Sequence, residues 1–442
     1  MQDGVIIQLC YSHLGGMHMG AWRDPKAPDN PALNFPVIRD TVLKAERAKL
    51  HTLFLADSLA IYDRSDASHA RVAINGGFEH FTLYGALSVV TQNIGLIVTG
   101  NTTYNEPFHL ARKYASLDHL SGGRIGWNAV TSGNPAEAAN FGRLNTHIGH
   151  DERYVRAGEF IDVVKGLLDS WDDDAFVRDR ESGLFSRPGA MHRLNHDGKY
   201  FKSAGPLNVP RPPQGYPVIY QAGQSEVGRK FAAKYGEVVI TMNSDINKAR
   251  EFRRLLREEA AAFGRNPDDV KVIVNMTGLV AKTQDEADER MAVLDSLVDP
   301  VPGVEQLGGF LQMDLSNAPL DEAVPDIEHY EFGSHGVQDF FMGVIRRDNL
   351  TVRQAAQLAA RQGAVSYSAK AYADIIEEWY RTGAADGINV AFADLSHSLD
   401  VLVTDVVPDL QRRGVFHTEY RGRTLRESLG LSFPLSQYAK AG

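Results

Sequence analysis

The stretch Tyr220-Gln221-Ala222-Gly223-Gln224-Ser225-Glu226-Val227-Gly228-Arg229 runs from a β-branched segment, through small residues, into a helical pattern. Gly223 permits a tight turn there. The amides of Gln224, Ser225 and the residues that follow then face outward, with the positive end of a helix behind them. Amides in that setting hold a phosphate. No Gly-Lys-Ser/Thr follows, so this is not a Walker loop, and the spacing is not that of a dinucleotide fold. Ser225 is also an ordinary helix cap by residue type.

Other polar residues end short apolar runs. Asp57 closes Phe54-Leu55-Ala56, Asn101-Thr102-Thr103-Tyr104 closes a third run, and Asn128, Thr131 and Ser132 lie in or after a fourth. Taken singly, each can be a helix cap; a barrel fold would bring all of them to one face. His147, His150 and Asp151, and separately His192 and His196, lack the His-Glu-x-x-His spacing of a helical metal site. Asp151 is expected to cap the helix it precedes. No Gly-x-Ser-x-Gly elbow supports a serine hydrolase. Cys10 is the only cysteine; it ends an apolar run and reads as a small buried hydrophobe.

The elements that must position these residues alternate along the chain. Strands are predicted at 5–10, 52–56, 95–100, 124–130, 217–221, 237–241, 270–280 and 387–392. Helices are predicted at 36–49, 81–91, 108–120, 152–171, 227–235, 246–263, 284–297 and 395–412. In the fourth helix Ala157, Phe160, Ile161, Val164, Leu167, Leu168 and Trp171 draw a single apolar stripe. Eight strand–helix units predict an α/β fold, a (β/α)8 TIM barrel. Four insertions interrupt it, at 11–34, 58–80, 172–216 and 300–370. The third contains a predicted hairpin around Gly198-Lys199-Tyr200-Phe201, the fourth a helix at 352–361. Loops of this size on the C-terminal side of a barrel build its site. The phosphate-suited turn follows strand five, whereas barrels commonly use strands seven and eight.

The 442 residues carry a net charge of −10, which argues against nucleic-acid and anionic-membrane partners. No signal segment or ~20-residue apolar span is evident, so a cytoplasmic protein is expected.

Several longer segments carry a resemblance. They include Asn105-Glu106-Pro107-Phe108-His109-Leu110-Ala111-Arg112, Ser116-Leu117-Asp118-His119-Leu120-Ser121-Gly122-Gly123-Arg124 and Gly126-Trp127-Asn128-Ala129-Val130-Thr131-Ser132. Further on stand His150-Asp151-Glu152-Arg153-Tyr154, Gly205-Pro206-Leu207-Asn208-Val209-Pro210-Arg211, Gly383-Ala384-Ala385-Asp386-Gly387 and Gly414-Val415-Phe416-His417-Thr418-Glu419-Tyr420. In this order they resemble the bacterial-luciferase-like flavin monooxygenases, in the branch of the nitrilotriacetate, EDTA and dibenzothiophene-sulfone monooxygenases.

The resemblance implies one luciferase-type barrel domain over 1–442, which binds reduced FMN supplied by a separate NAD(P)H:FMN oxidoreductase. It also implies a homodimer or homotetramer and oxygenation of a small organic substrate by O2 through a flavin C4a-hydroperoxide. Flavin contacts would fall on Asp57, Thr102, Thr103, Asn128, Tyr154, Gly223, Gln224 and Ser225. Because such chemistry needs a dry pocket, the insertions are expected to be lids, the 300–370 segment being the mobile one. Tyr11, His13, Trp22 and Tyr62 are the candidates for substrate or hydroperoxide contacts. Three positions depart from the family pattern. Asp24 stands where His is frequent, His80 where Pro is frequent, and Ser366-Tyr367-Ser368 where a Gly-Thr pair is.

Two other readings use the same barrel, a flavin- or deazaflavin-dependent hydride-transfer oxidoreductase and a non-catalytic FMN-binding barrel. A third, a metal hydrolase, rests on the histidines alone. For the substrate, Arg23, Arg64 and Arg71 offer charge for a polycarboxylate, while Tyr11, Trp22, Tyr62 and Phe78 suit a smaller apolar or heterocyclic compound, the preferred expectation.

Overall fold

The computed structural model describes residues 4–12, 15–61, 63–73, 76–144, 148–223, 225–325 and 335–439. Eight parallel strands hydrogen-bond in chain order and close on themselves. They are β1 (Ile6–Cys10), β2 (Thr52–Phe54), β3 (Gly95–Asn101), β4 (Ile125–Val130), β7 (Val218–Gln221), β8 (Val238–Thr241), β9 (Lys271–Ala281) and β11 (Gly387–Phe392). β5 (His196–Asp197) and β6 (Lys202–Ser203) make the expected hairpin in the third insertion. The eight barrel strands and the eight helices between them fall where the sequence pattern puts them, within a few residues at the ends.

Side-chain alternation along the strands sorts the core into two parts. Ile6, Ile97, Val218, Tyr220, Val238, Ile240 and Ile273 form one apolar cluster with Leu425, Leu429 and Leu431. Their neighbours in sequence, Ile7, Leu96, Val98, Ile219 and Val274, belong with Trp127 and Ile388 to the larger cluster shared with the surrounding helices. The segment around 425–431 stops the N-terminal mouth of the barrel. Leu425 N donates to Gly123 O just before β4 (2.9 Å), and Ser432 N donates to Asp269 Oδ1 just before β9 (2.8 Å). Only the C-terminal end is left for a site.

Helix Pro107–Ser121 stops at Gly122 and Gly123, whose φ of 69° and 92° lie in the left-handed region that glycine enters without strain. The turn buries Arg124. Its guanidinium donates to Ser121 O, Thr91 Oγ1, Ile94 O, Ser88 O and Thr91 O, and so fastens β4 to helix His80–Val90.

Three departures from the expected elements have physical causes. The helix expected at 395–412 is α-helical over Leu395–Val401 and Val407–Arg412, with a π segment at Leu402–Val406 between. Pro408 has no amide proton to return to residue 404, so the hydrogen-bond ladder slips there. Asp151 is not a cap: Gly149 occupies that position, and Asp151 with Glu152 sits in the first turn, where carboxylates suit the helix dipole. The 300–370 insertion adds helices Pro300–Leu311, His335–Asp348 and Val352–Ala360, which share a satellite core around Leu307, Leu311, Ile345, Val352 and Ala356. It returns through β10 (Val365–Ser368), absent from the sequence expectation. β9 is long enough to serve two partners along one edge, β11 with Ile273 to Gly278 and β10 with Gly278 to Ala281, while its other edge pairs with β8.

No helix among the described residues is long and apolar enough to cross a membrane.

Candidate active site

Beyond the ends of β1 and β2 the loops enclose a cavity lined by Cys10, Tyr11, Met17, His18, Met19, Trp22, Asp57, Ile61, Arg64, His69, Val72 and Gln362. Of the substrate-contact candidates, Tyr11 and Trp22 meet there. His13 and Tyr62, like Gln224, lie outside the described residues. Tyr11 is buried and its hydroxyl donates to Pro31 O (3.2 Å), which fixes the ring in the wall. Cys10 is buried in the cavity floor; burial pushes its thiol up to about 11, with a hydrogen bond to Asn389 pulling the other way.

Asp57 reaches the same cavity from the end of β2. Burial, then the charges of Glu79 and Glu137, push its carboxyl up to about 6, against the pull of the Ser58 amide. Glu137 is held close because it accepts from Ser58 Oγ (3.0 Å) and Leu59 N (2.9 Å), which binds the loop after β4 to the loop after β2. His80 Nε2 stands 4.0 Å from Asp57 Oδ1, and His80 Nδ1 accepts from Thr99 N (3.4 Å), so the proton of a neutral ring sits on Nε2, facing the carboxylate.

A raised carboxyl holds its proton more tightly folded than unfolded. Its contribution to stability is therefore fully present below the ordinary value near 3.8 and is lost as pH climbs through about 6. Flavin affinity measured across this range should inflect near pH 6. Asp57→Asn should flatten the profile, and an inflection that survives the substitution would assign the titration to another group.

The remaining flavin candidates collect on the β3–β4–β7 side. Thr102 and Thr103 are buried, their hydroxyls donating to Val130 O (3.1 Å) and Thr131 O (2.8 Å) and leaving oxygen lone pairs as acceptors. Asn128 Nδ2 donates to Thr99 Oγ1 (3.2 Å). Its Oδ1 and the hydroxyl of Ser132 are buried with no hydrogen-bond partner among the described residues. Buried polar atoms of this kind are costly unless a ligand satisfies them. Tyr154, on helix His150–Leu168, hydrogen-bonds with Thr131 and Ser225. Ser225 caps helix Glu226–Tyr235 by accepting from Gly228 N (3.1 Å), the cap role its residue type offered. A Cβ at Gly223 would lie 2.9 Å from Gly228 Cα and 3.0 Å from the Tyr154 hydroxyl, so the turn presses against both.

Arg143 and Arg156 donate to Thr103 O and Thr102 O, and Arg153 donates to Ile148 O. They put positive charge beside these positions. A phosphorylated ligand with a polar chain and a flat ring fits this set: helix N-terminus, hydroxyls, orphaned amide oxygen and guanidiniums.

Sequence reasoning missed what lies beneath. Thr52 Oγ1 donates to Gln8 Oε1 (2.9 Å), Gln8 Nε2 to Asn389 Oδ1 (2.9 Å), Asn389 Nδ2 to Asn275 Oδ1 (2.7 Å) and Asn275 Nδ2 to Thr277 Oγ1 (3.2 Å). This polar ladder crosses the barrel interior above the apolar plug. Polar residues at alternate positions of otherwise apolar strands were the available signal.

Of the histidines that suggested a metal, His147 lies outside the described residues, and the other three are each tied to one carboxylate. His150 faces Asp151 (2.7 Å), His192 faces Asp172 (2.7 Å) and His196 faces Glu159 (3.1 Å). Among the described residues no three His, Cys, Asp or Glu are grouped to hold a metal ion. Asp24, at a departure from the family pattern, pairs with Arg290, which also binds Asp394, outside the cavity. Tyr367 packs on Tyr372.

Residues 17–342 match the family model described as luciferase-like monooxygenase. The N-acetyl-S-(2-succino)cysteine monooxygenase of Bacillus subtilis (strain 168) is 44% identical over 432 residues, 96% of each chain. Component A of the nitrilotriacetate monooxygenase of Aminobacter aminovorans is 42% identical, over 97% of this chain and 96% of the relative. Among solved structures, a riboflavin lyase with modified FMN and riboflavin superposes with a TM-score of 0.82 at 30% identity, covering 97% of this chain and 96% of that one.

Proposed function

Because the chain belongs to the luciferase-like monooxygenase family, we propose that it is the oxygenase of a two-component system, oxygenating a small organic substrate with reduced FMN and O2 through a flavin C4a-hydroperoxide. A separate NAD(P)H:FMN oxidoreductase supplies the reduced flavin, and the protein works in the cytoplasm as a homodimer or homotetramer. Its barrel and insertions act as one domain. The name of the Aminobacter relative, a component A, supports the division of labour. The FMN in the lyase structure supports the cofactor.

The observation that carries the reading is local: Asn128 Oδ1 and the Ser132 hydroxyl, both buried, have no hydrogen-bond partner among the described residues, and they stand on or just after the strand that pairs with the one leading to Gly223 and the Ser225 cap. Gly223, Ser225 and, by its place in the sequence, Gln224 would take the phosphate. Thr102, Thr103, Asn128 and Tyr154 would bind the ribityl chain and ring, and Asp57 the ring edge. Bound reduced flavin supplies the oxygen activation. The protein's share is to exclude water and orient the substrate. Tyr11, fixed by Pro31, and Trp22 form the wall against which a substrate lies. His13 and Tyr62 are the further candidates for substrate or hydroperoxide contacts in this reading, and the 300–370 insertion is the lid.

The test mixes protein and reduced FMN anaerobically, then with oxygen, while near-ultraviolet flavin absorbance is followed. A long-lived intermediate whose decay quickens with an added substrate supports the proposal. Immediate appearance of oxidised FMN and peroxide at saturating protein would return the choice to hydride transfer or flavin storage.

A further inference from the structure

The sequence offers three arginines to a charged substrate, and the structure separates them. Arg23 is exposed, with Nη1 donating to Leu297 O (2.6 Å). Arg71 Nη1 donates to Ala67 O (2.7 Å), while Nε lies 3.6 Å from Asp299 Oδ2. Neither lines the cavity. Arg64 does, and Nη2 donates to a neutral partner, Gln306 Oε1 (2.8 Å). Its Nε and Nη1 have no protein acceptor among the described residues; the carboxylate that feels its charge, Glu305, accepts from Ser65 N (2.9 Å) and Ser65 Oγ (2.8 Å) instead. No other Lys or Arg lines the cavity, and the undescribed internal segments contain neither residue type.

Two histidines, His18 and His69, also line the wall, and of these His18 is committed. His18 Nε2 lies 3.1 Å from Asp295 Oδ1, and its Nδ1 accepts from Gly20 N (3.0 Å). Asp57, at the barrel end, has Glu79 and Glu137 as electrostatic neighbours, so a second anion arriving there is repelled at neutral pH. The rest of the lining is largely apolar, with Met17, Met19, Trp22, Ile61 and Val72, and its other polar members Ser12, Ser58 and Gln362 are uncharged.

We propose that this cavity takes a substrate with one carboxylate, held by Arg64, on an otherwise uncharged apolar body. The inference rests on the monooxygenase reading of the same site and adds a count: one anchoring guanidinium and no lysine, hence a monoacid and not a polycarboxylate. Arginine suits this task because its planar donor fork engages both carboxylate oxygens.

The test uses the full chain with FMN bound and three probes: 3-(phenylthio)propanoate, its methyl ester and phenylthiosuccinate. Calorimetry should find the monoacid bound about tenfold or more tighter than the ester, the range expected of a charged hydrogen bond with part of its worth lost to solvent. The diacid should bind no tighter than the monoacid. Arg64→Gln should equalise acid and ester, and Arg64→Lys should keep most of the preference; circular dichroism confirms that both variants fold. Equal binding of acid and ester by the wild type overturns the proposal, as does tighter binding of the diacid or no binding of any probe. A preference that survives Arg64→Gln does so too. Oxygenation is assayed in the same preparations. An acid preference without oxygen transfer would overturn the monooxygenase reading alone, and oxygen transfer without the preference would overturn the substrate class alone.

Discussion

Gly223→Ala is expected to weaken FMN binding by between about tenfold and a hundredfold while leaving the barrel folded. A methyl group at this position meets Gly228 Cα at 2.9 Å and the Tyr154 hydroxyl at 3.0 Å, and a methyl on Gly228 would meet Gly223 Cα and the same hydroxyl at 3.0 Å. Backbone faces backbone on one side, so nothing flexible is available to give way there. The turn must lift from the helix, and the Tyr154 hydroxyl must leave its bonds to Thr131 and Ser225. Helix-start amides that converge on a phosphate lose that convergence when their entry angle changes. Gly309→Ala is the control, since a Cβ there meets nothing within 4 Å. Fluorescence titration with FMN measures both; equal affinities would remove the phosphate role assigned to this turn.

Asp169→Ala is expected to cost about 3 kcal/mol of stability, the lower end for removing one member of a buried ion pair, because Arg211 keeps the exposed Asp173 as a second partner (Nη1 to Oδ1, 2.9 Å). Asp169 and Arg211 are each 1% exposed at the side chain, and Arg211 Nε donates to Asp169 Oδ1 (2.9 Å). Asp169 Oδ2 accepts from the Tyr216 hydroxyl (2.5 Å) and from Gln437 N (2.9 Å), while Arg211 also donates to Pro434 O (2.8 Å). One carboxylate therefore clasps the helix end, the third insertion and the C-terminal segment. Urea unfolding should show a lower midpoint. Asp169→Ala/Arg211→Leu should recover part of the loss, because the buried charge left with only the exposed Asp173 as partner is gone. A loss under about 1 kcal/mol for the single variant would mean that water replaces the clasp.

The barrel was legible because each unit repeats a local pattern: a short β-branched run, then an apolar stripe at helical spacing. Arg211 shows where that legibility stops. It belongs to a segment singled out for its family resemblance, yet its partners Asp169 and Pro434 lie far away along the chain, and no periodicity points to them. The same holds for Gln8, Asn275 and Asn389, which are separated by hundreds of residues and joined only by closure of the sheet. β10 escaped notice because its four residues lie in a long insertion and pair only with the overhanging end of β9. At the site, residues at strand ends were readable by position. Their surroundings were not: the crowding of Asp57 by Glu79 and Glu137, and the choice among Arg23, Arg64 and Arg71, depend on how loops fold over one another.

The cavity floor bears on the working lifetime of the protein. If this family's chemistry leaks, it leaks peroxide, and peroxide attacks thiolates. Cys10, the sole thiol, lines the cavity in which the proposed oxygenation would take place. With its ionisation pushed up to about 11, roughly one copy in ten thousand is a thiolate at neutral pH. The catalyst is thereby shielded from wear by its own side reaction. A cysteine engineered onto the surface would then be the one position open to thiol-directed labels, so loop movements can be followed without first removing the native residue.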